Sequence, residues 1–82
     1  MNYDHIELTI LSPEGTVYKG GVDNVELPGK CGRFQILPNH APIISSLRKG
    51  TVVYKVDDNE RRLDINGGFV EMHGPSVMIC IE

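Results

Sequence analysis

The sequence predicts an all-β domain, a flattened antiparallel β-sandwich or barrel of about 8–10 short strands with no substantial helix. Three observations predict it. Apolar and polar residues alternate with period two in most segments, as Ile6, Leu8 and Ile10 do against Glu7 and Thr9. Clusters of Gly, Pro, Asn, Asp and Ser interrupt these segments every ~8–12 residues, the spacing of short strands joined by turns. No window holds apolar residues at i, i+3, i+4 and i+7 over three turns, which an amphipathic helix needs.

Taken in order, the first strand is centred on Ile6, Leu8 and Ile10, and Ser12-Pro13-Glu14-Gly15 ends it with a turn. An extended region follows over residues 16–27, broken at Gly20-Gly21 by a bulge or sharp bend. In it Val25 and Leu27 face one way and Asn24 and Glu26 the other. Pro28-Gly29-Lys30-Cys31-Gly32 turns into a short strand holding Phe34 and Ile36. Residues 41–47 have room for a single helical turn. Lys49-Gly50 then opens a strand with Val52, Tyr54 and Val56 on one face, opposed by Val53 and Lys55. Asp57-Asp58-Asn59-Glu60 forms a hairpin tip, and residues 62–65 return from it. Asn66-Gly67-Gly68 leads into Phe69, and His73-Gly74-Pro75-Ser76 into a last strand with Val77, Ile79 and Ile81 on one face.

The chain has 82 residues, which predicts one domain spanning 1–82. A domain of this size buries only about 60–65 % of its unfolded surface, so its stability margin is thin. Two cysteines, Cys31 and Cys80, are too few for a disulfide scaffold and read as free thiols in a reducing compartment. No stretch approaches ~18 consecutive apolar residues, and residues 1–5 lack the basic-then-apolar order of a secretory signal, so no direct membrane insertion is expected. With 8 basic against 11 acidic residues the net charge is −3. Arg48-Lys49 and Arg61-Arg62 are the nearest approach to a basic stripe, and both sit beside turns, so no nucleic-acid partner is expected.

Residues 33–45 carry the sharpest signal. Pro38 and Pro42 bracket His40, and each proline fixes its own φ and pushes the residue before it toward extended backbone. A stiff, non-helical, apolar loop should therefore hold Asn39 and His40 at a set angle. Ile43 and Ile44 should point to opposite sides of the extended segment that follows. Such a loop suits docking better than flexible connection.

Catalytic chemistry finds little support. Cys31 and His40 lie on adjacent loops, yet no third orienting residue or oxyanion loop accompanies them. His5, His40 and His73 with the two cysteines have no metal-ligand spacing. The Gly20-Gly21 and Gly67-Gly68 pairs open no helix and so form no phosphate cradle. Lys30 lacks the flanks of an acylated swinging-arm lysine. No catalytic residue, cofactor or metal is expected, which leaves an interaction module.

Residues 27–50, Leu27-Pro-Gly-Lys-Cys-Gly-Arg-Phe-Gln-Ile-Leu-Pro-Asn-His-Ala-Pro-Ile-Ile-Ser-Ser-Leu-Arg-Lys-Gly50, resemble the signature of the epsilon subunit of bacterial F-type ATP synthases. Leu11-Ser12-Pro13-Glu14-Gly15 with Val17-Tyr18-Lys19-Gly20 resembles that family's opening strand pair, and residues 64–71 its late Gly-Gly strand entry. The likeness runs through essentially the whole chain in one register. It implies a flattened β-sandwich of about ten strands, here without the C-terminal helical hairpin that usually follows it in the family. It also implies a non-catalytic part of the rotor, or central stalk, on the cytoplasmic face of the bacterial inner membrane. There the sandwich docks on the gamma subunit and on the membrane c-ring, coupling proton transport to ATP synthesis. Positions matching the gamma-facing side are Ser12, His40, Ile43 and Ser45, and those matching the ring-facing turn are Lys30, Cys31 and Arg33. Many relatives carry an acidic residue where this chain has Arg33, and glycine where it has Gln35 and Asn39. The isolated domain is expected to be monomeric. The alternative is a free-standing β-barrel interaction module unrelated to ATP synthase.

Overall fold

The computed structural model describes residues 3–82. Among these residues there are nine strands and no helix: β1 Ile6–Ser12, β2 Gly15–Val22, β3 Asn24–Gly29, β4 Gly32–Ile36, β5 Ile43–Leu47, β6 Gly50–Val56, β7 Asn59–Ile65, β8 Gly68–His73 and β9 Ser76–Ile81. They form one curled sheet in the order β2-β1-β9-β8-β5-β3-β6-β7, with β4 paired to β3 off that path. The halves of the sheet are joined thinly. Only Gly29 and Leu47 pair β3 with β5, reinforced where the Lys30 N–H donates to the Ser46 carbonyl and the Arg48 N–H to the Pro28 carbonyl. At that thin seam the sheet turns back on itself, and the concave side becomes the core.

Period-two alternation fills that core. Ile6, Leu8 and Ile10 from β1 pack with Val25 and Leu27 from β3, Ile36, Leu47, Val52, Val70, Met72, Val77 and Ile79. Among the described residues no polar or charged side chain is buried. Tyr54 is the one core side chain with a polar group, and no buried side-chain N or O atom among the described residues lacks a partner, so burial carries no unsatisfied-polar cost of that kind.

Four sequence expectations change. Residues 43–47 are strand β5, paired along its length with β8, not a helical turn; Ile43 and Ile44 are β-branched, and the ladder supplies what one isolated helical turn could not. Gly20 and Gly21 pair in register with Leu8 and Glu7, so the strand passes through them and breaks at Asp23 instead. The irregularity lies earlier, where Ile10 opposes Tyr18 but Leu11 opposes Thr16, leaving Val17 as the extra residue. The glycines are needed for close approach: the Tyr18 hydroxyl donates to the Gly21 carbonyl (3.1 Å), and a Cβ on Gly20 would lie 2.9 Å from that hydroxyl. The sheet is also not wholly antiparallel, since β1 and β9 run parallel from Glu7 opposite Ser76 to Leu11 opposite Cys80. Finally, Val53 is buried although it lies opposite Val52 and Tyr54, and it stands outside the main core cluster.

The tip between β6 and β7 is a hairpin turn as expected but tighter, since Asn59 and Glu60 already belong to β7. Asp57 (φ 50°) and Asp58 (φ 64°) form a two-residue turn between the paired Val56 and Asn59, with both residues left-handed as a type I′ hairpin demands.

Candidate functional site

Strand directions sort the loops into two ends. The start of β1, the turn between β8 and β9, and the 37–42 loop that enters β5 gather at one end, because Glu7 opposes Ser76, Ser76 opposes His73, and Met72 opposes Ile43. The β3–β4 turn gathers with the end of β5 at the other.

At the first end, Pro38 and Asn39 are the central residues of a type II turn. Asn39 has φ 72°, and the His40 N–H donates to the Leu37 carbonyl (3.1 Å). Proline at the first central position and a left-handed asparagine at the second are what that turn favours. His40 is exposed. Its Nδ1 lies 2.7 Å from the Ala41 carbonyl, which can only accept, so Nδ1 carries the hydrogen and Nε2 is left for a partner.

Along β5 the two isoleucines divide as the alternation predicts. Ile43 is half-buried and packs on the core, whereas Ile44 is 79 % exposed. Ser45 is half-buried too, its hydroxyl donating to the Ser46 carbonyl (3.3 Å). The outward residues of β5 lead a row that strand pairing extends across three neighbours: Ile44, Glu71, Met78 and Thr9, and beside them Ser46, Phe69, Cys80 and Leu11. Within it Met78 is 45 % and Phe69 44 % exposed. An open groove of ≈ 400 Å³ borders the row, lined by Pro42, Ile43, Ile44, Glu71, Met72 and His73. Sequence reasoning missed Ile44, Phe69 and Met78. Each was visible as an outward apolar residue of its own strand, but their adjacency depends on cross-strand register.

Ser12 stands apart from the other nominated positions. It caps the β1–β2 turn, its hydroxyl donating to the Gly15 carbonyl and accepting the Glu14 N–H, both at 3.2 Å. It sits past Leu11, at the opposite end of β1 from Glu7 and so from the His40 loop. The structure thus brings His40, Ile43 and Ser45 together on one segment and leaves Ser12 at the far end.

Lys30 and Cys31 form the exposed two-residue tip between the paired Gly29 and Gly32. Arg33 next to them is engaged: its Nη1 donates to the Thr51 carbonyl (2.7 Å), and its Nε lies 3.6 Å from Glu26 Oε1. The length of β4, about 16 Å at 3.3 Å per residue, separates Cys31 from His40. That distance rules out a thiol–imidazole pair.

At the His40 end, His5 sits between two carboxylates, with Nδ1 2.7 Å from Asp4 Oδ1 and Nε2 2.6 Å from Glu7 Oε1. The hydrogen bond to Asp4, and after it the one to Glu7, raises the His5 pKa; the bond from His5 lowers that of Asp4. Among the described residues no group of His, Cys, Asp and Glu side chains is placed to hold a metal ion, and no helix is long and apolar enough to cross a membrane.

Comparison with known proteins agrees with the fold. Residues 5–82 match the family described as ATP synthase, Delta/Epsilon chain, beta-sandwich domain. An ATP synthase epsilon chain from Leptospira interrogans is 38 % identical over 82 residues, covering 100 % of this chain and 65 % of the relative. One from Desulfitobacterium hafniense is 44 % identical over 75 residues, 92 % of this chain and 57 % of the relative. The chain thus spans roughly three-fifths of the length of the curated relatives it matches. Among solved structures, a chain of the Euglena gracilis mitochondrial ATP synthase OSCP/F1/c-ring assembly superposes with a TM-score of 0.91 at 18 % identity, over 96 % of this chain and 51 % of that one. A chain of the Tetrahymena thermophila mitochondrial ATP synthase central stalk and c-ring superposes with a TM-score of 0.78 at 15 % identity, over 93 % and 62 %. At such identities these two likenesses speak for the fold.

Proposed function

This chain belongs to the ATP synthase delta/epsilon family through its β-sandwich domain, and on that premise we propose that it is a non-catalytic rotor element of an F-type ATP synthase. It docks on the gamma subunit and on the c-ring, and so helps couple ion flow to ATP synthesis at the cytoplasmic face of the bacterial membrane. The observation that carries the docking half of this reading is the row of Ile44, Phe69 and Met78 exposed on three adjoining strands beside the His40 loop. Scattered apolar residues on a surface mean little, but three gathered around Glu71 on neighbouring strands, beside a rigid loop, favour an interaction surface.

The physics suits a coupling part. A joint that transmits torque must not yield, so its contact needs well over ~1,000 Å² and loops ordered before binding. The type II turn at Pro38-Asn39 is such a loop. Half-buried Ile43, which lines the groove, and the more exposed Ile44 are the apolar contacts, with His40 beside them. The exposed Lys30-Cys31 tip, at the other end of β4, is the ring-facing element, and Arg33 supports it through its bond to Thr51. The two contacts then fall at opposite ends of the domain, as a part bridging two neighbours requires.

Affinity purification tests the reading. The tagged chain, recovered from detergent-solubilised membranes of its source organism, should retain gamma, the catalytic hexamer and the ring. A folded bait that retains none of them overturns it.

A further inference from the structure

One long-range contact at the His40 end ties the start of the described chain to the 37–42 loop. The Tyr3 N–H donates to Asn39 Oδ1 (2.7 Å), and Asn39 Nδ2 donates back to the Tyr3 carbonyl (2.8 Å), across 36 residues of sequence. The primary amide therefore reads the backbone of residue 3 as a neighbouring strand would. The same segment passes near two further elements: a Cβ built on Gly74 would stand 3.7 Å from the Tyr3 hydroxyl, and one on Gly21 would stand 3.3 Å from the His5 ring. Residues 3–5 so run as a strap over the end of the sandwich, bonded to the 37–42 loop and close to the β8–β9 turn and β2.

The loop has few other means of being held. Pro38 and Pro42 have no N–H, and its one internal backbone bond is the single one from His40 to Leu37. Asn39 stays left-handed at φ 72°, which asparagine tolerates better than most non-glycine residues but not as freely as glycine. The two bonds to Tyr3 add to what holds it there.

We propose that Asn39 and the 3–5 strap form a clasp that holds the 37–42 loop in its docking conformation, making Asn39 and Tyr3 positioning residues for His40. The inference rests on the reading of that loop as a docking surface, and it adds a role for two residues that need not touch the partner. Two substitutions isolate the clasp. Asn39→Gly keeps the left-handed backbone available but removes both bonds, while Tyr3→Pro removes the N–H donor and leaves residue 39 untouched.

The test is the exchange rate of the His40 amide proton, followed by NMR on the free chain, together with affinity for purified gamma subunit. Both variants should exchange roughly tenfold faster at His40, the scale of one or two lost hydrogen bonds, with core amides of β1 and β9 unchanged. Their affinity for gamma should fall by a similar factor. Unchanged exchange at His40 overturns the clasp. Faster exchange with wild-type affinity overturns its positioning role. Faster exchange in the variants, combined with a folded wild-type chain that does not bind gamma, overturns the docking reading and leaves the clasp standing as a loop-ordering device.

Discussion

Tyr18 on β2 and Tyr54 on β6 meet with ring centroids 4.9 Å apart and planes at 45°, and Arg61 on β7 lies over the Tyr18 ring at 5.9 Å. The two strands are far apart in the sheet order, so this contact is where the curled sheet closes on itself. No ladder joins these strands; the aromatic pair closes the gap beside a single backbone bond from the Asp23 N–H to the Lys55 carbonyl (2.9 Å), which makes it a structural joint.

Removing either ring should open that joint. Tyr54 is 7 % exposed, and Tyr54→Ala should cost about 3 kcal/mol by cavity formation. Tyr18→Ala, on a less buried ring, should cost about 1–2 kcal/mol. In a double-mutant cycle followed by urea unfolding, the pair should show a coupling of about 0.5–1.5 kcal/mol. A coupling of zero would mean that the sandwich closes without them.

Gly68 should be the least replaceable glycine tested against Gly15. Both have left-handed φ, +149° and +130°. A Cβ on Gly15 meets nothing within 4 Å, whereas one on Gly68 collides with the Cys80 carbonyl of the paired strand β9. Gly15→Ala therefore carries backbone strain alone, about 1–2 kcal/mol. Gly68→Ala adds the clash, and its urea midpoint should fall at least twice as far. Equal losses would show that β9 shifts freely at that point.

How far the sequence could be read follows from the range of each interaction. The strands and their buried faces were legible because period two is local: Ile6, Leu8 and Ile10 reach the core together whatever pairs with them. The β6–β7 tip was legible for the same reason. The parallel pairing of β1 with β9 was not, since it joins the two ends of the chain and no local pattern records its direction. The row of Ile44, Phe69 and Met78 depends on two registers at once. Asn39 could be seen as a turn residue but not as the partner of Tyr3, because that choice is made by the assembled end of the sandwich. Gly20-Gly21 misled because glycine in a strand signals either a break or a close approach, and only the Tyr18 hydroxyl above it decides between them.

The Asp4–His5–Glu7 cluster should make stability depend on pH with a definite sign. His5 has a raised pKa in the fold, so its contribution is complete below the ordinary imidazole value of about 6.5 and fades as pH climbs through the raised value. Asp4 has a lowered pKa, so its contribution is present above the ordinary carboxylate value of about 3.9 and fades as pH falls through the lowered one. Between those limits both are present. His5→Gln should therefore lower the melting temperature more at pH 5.5 than at pH 9. A loss of the same size at both would show that His5 acts through packing on Gly21 and not through charge.

The central claim is that the face carrying Ile44 docks on gamma, and the most direct measurement is the affinity of the purified chain for purified gamma subunit, wild type against Ile44→Asp. Ile44 is 79 % exposed but pairs with Glu71, so the new carboxylate faces a like charge in a strand and should cost about 1 kcal/mol of stability, which leaves the chain folded. The substitution places an unpaired charge inside the contact, which should weaken binding at least tenfold, or about 1.4 kcal/mol. Wild-type binding with that loss in a folded variant is the predicted result. An Ile44→Asp chain that binds gamma as tightly as wild type, or a folded wild-type chain that does not bind it at all, would contradict the account.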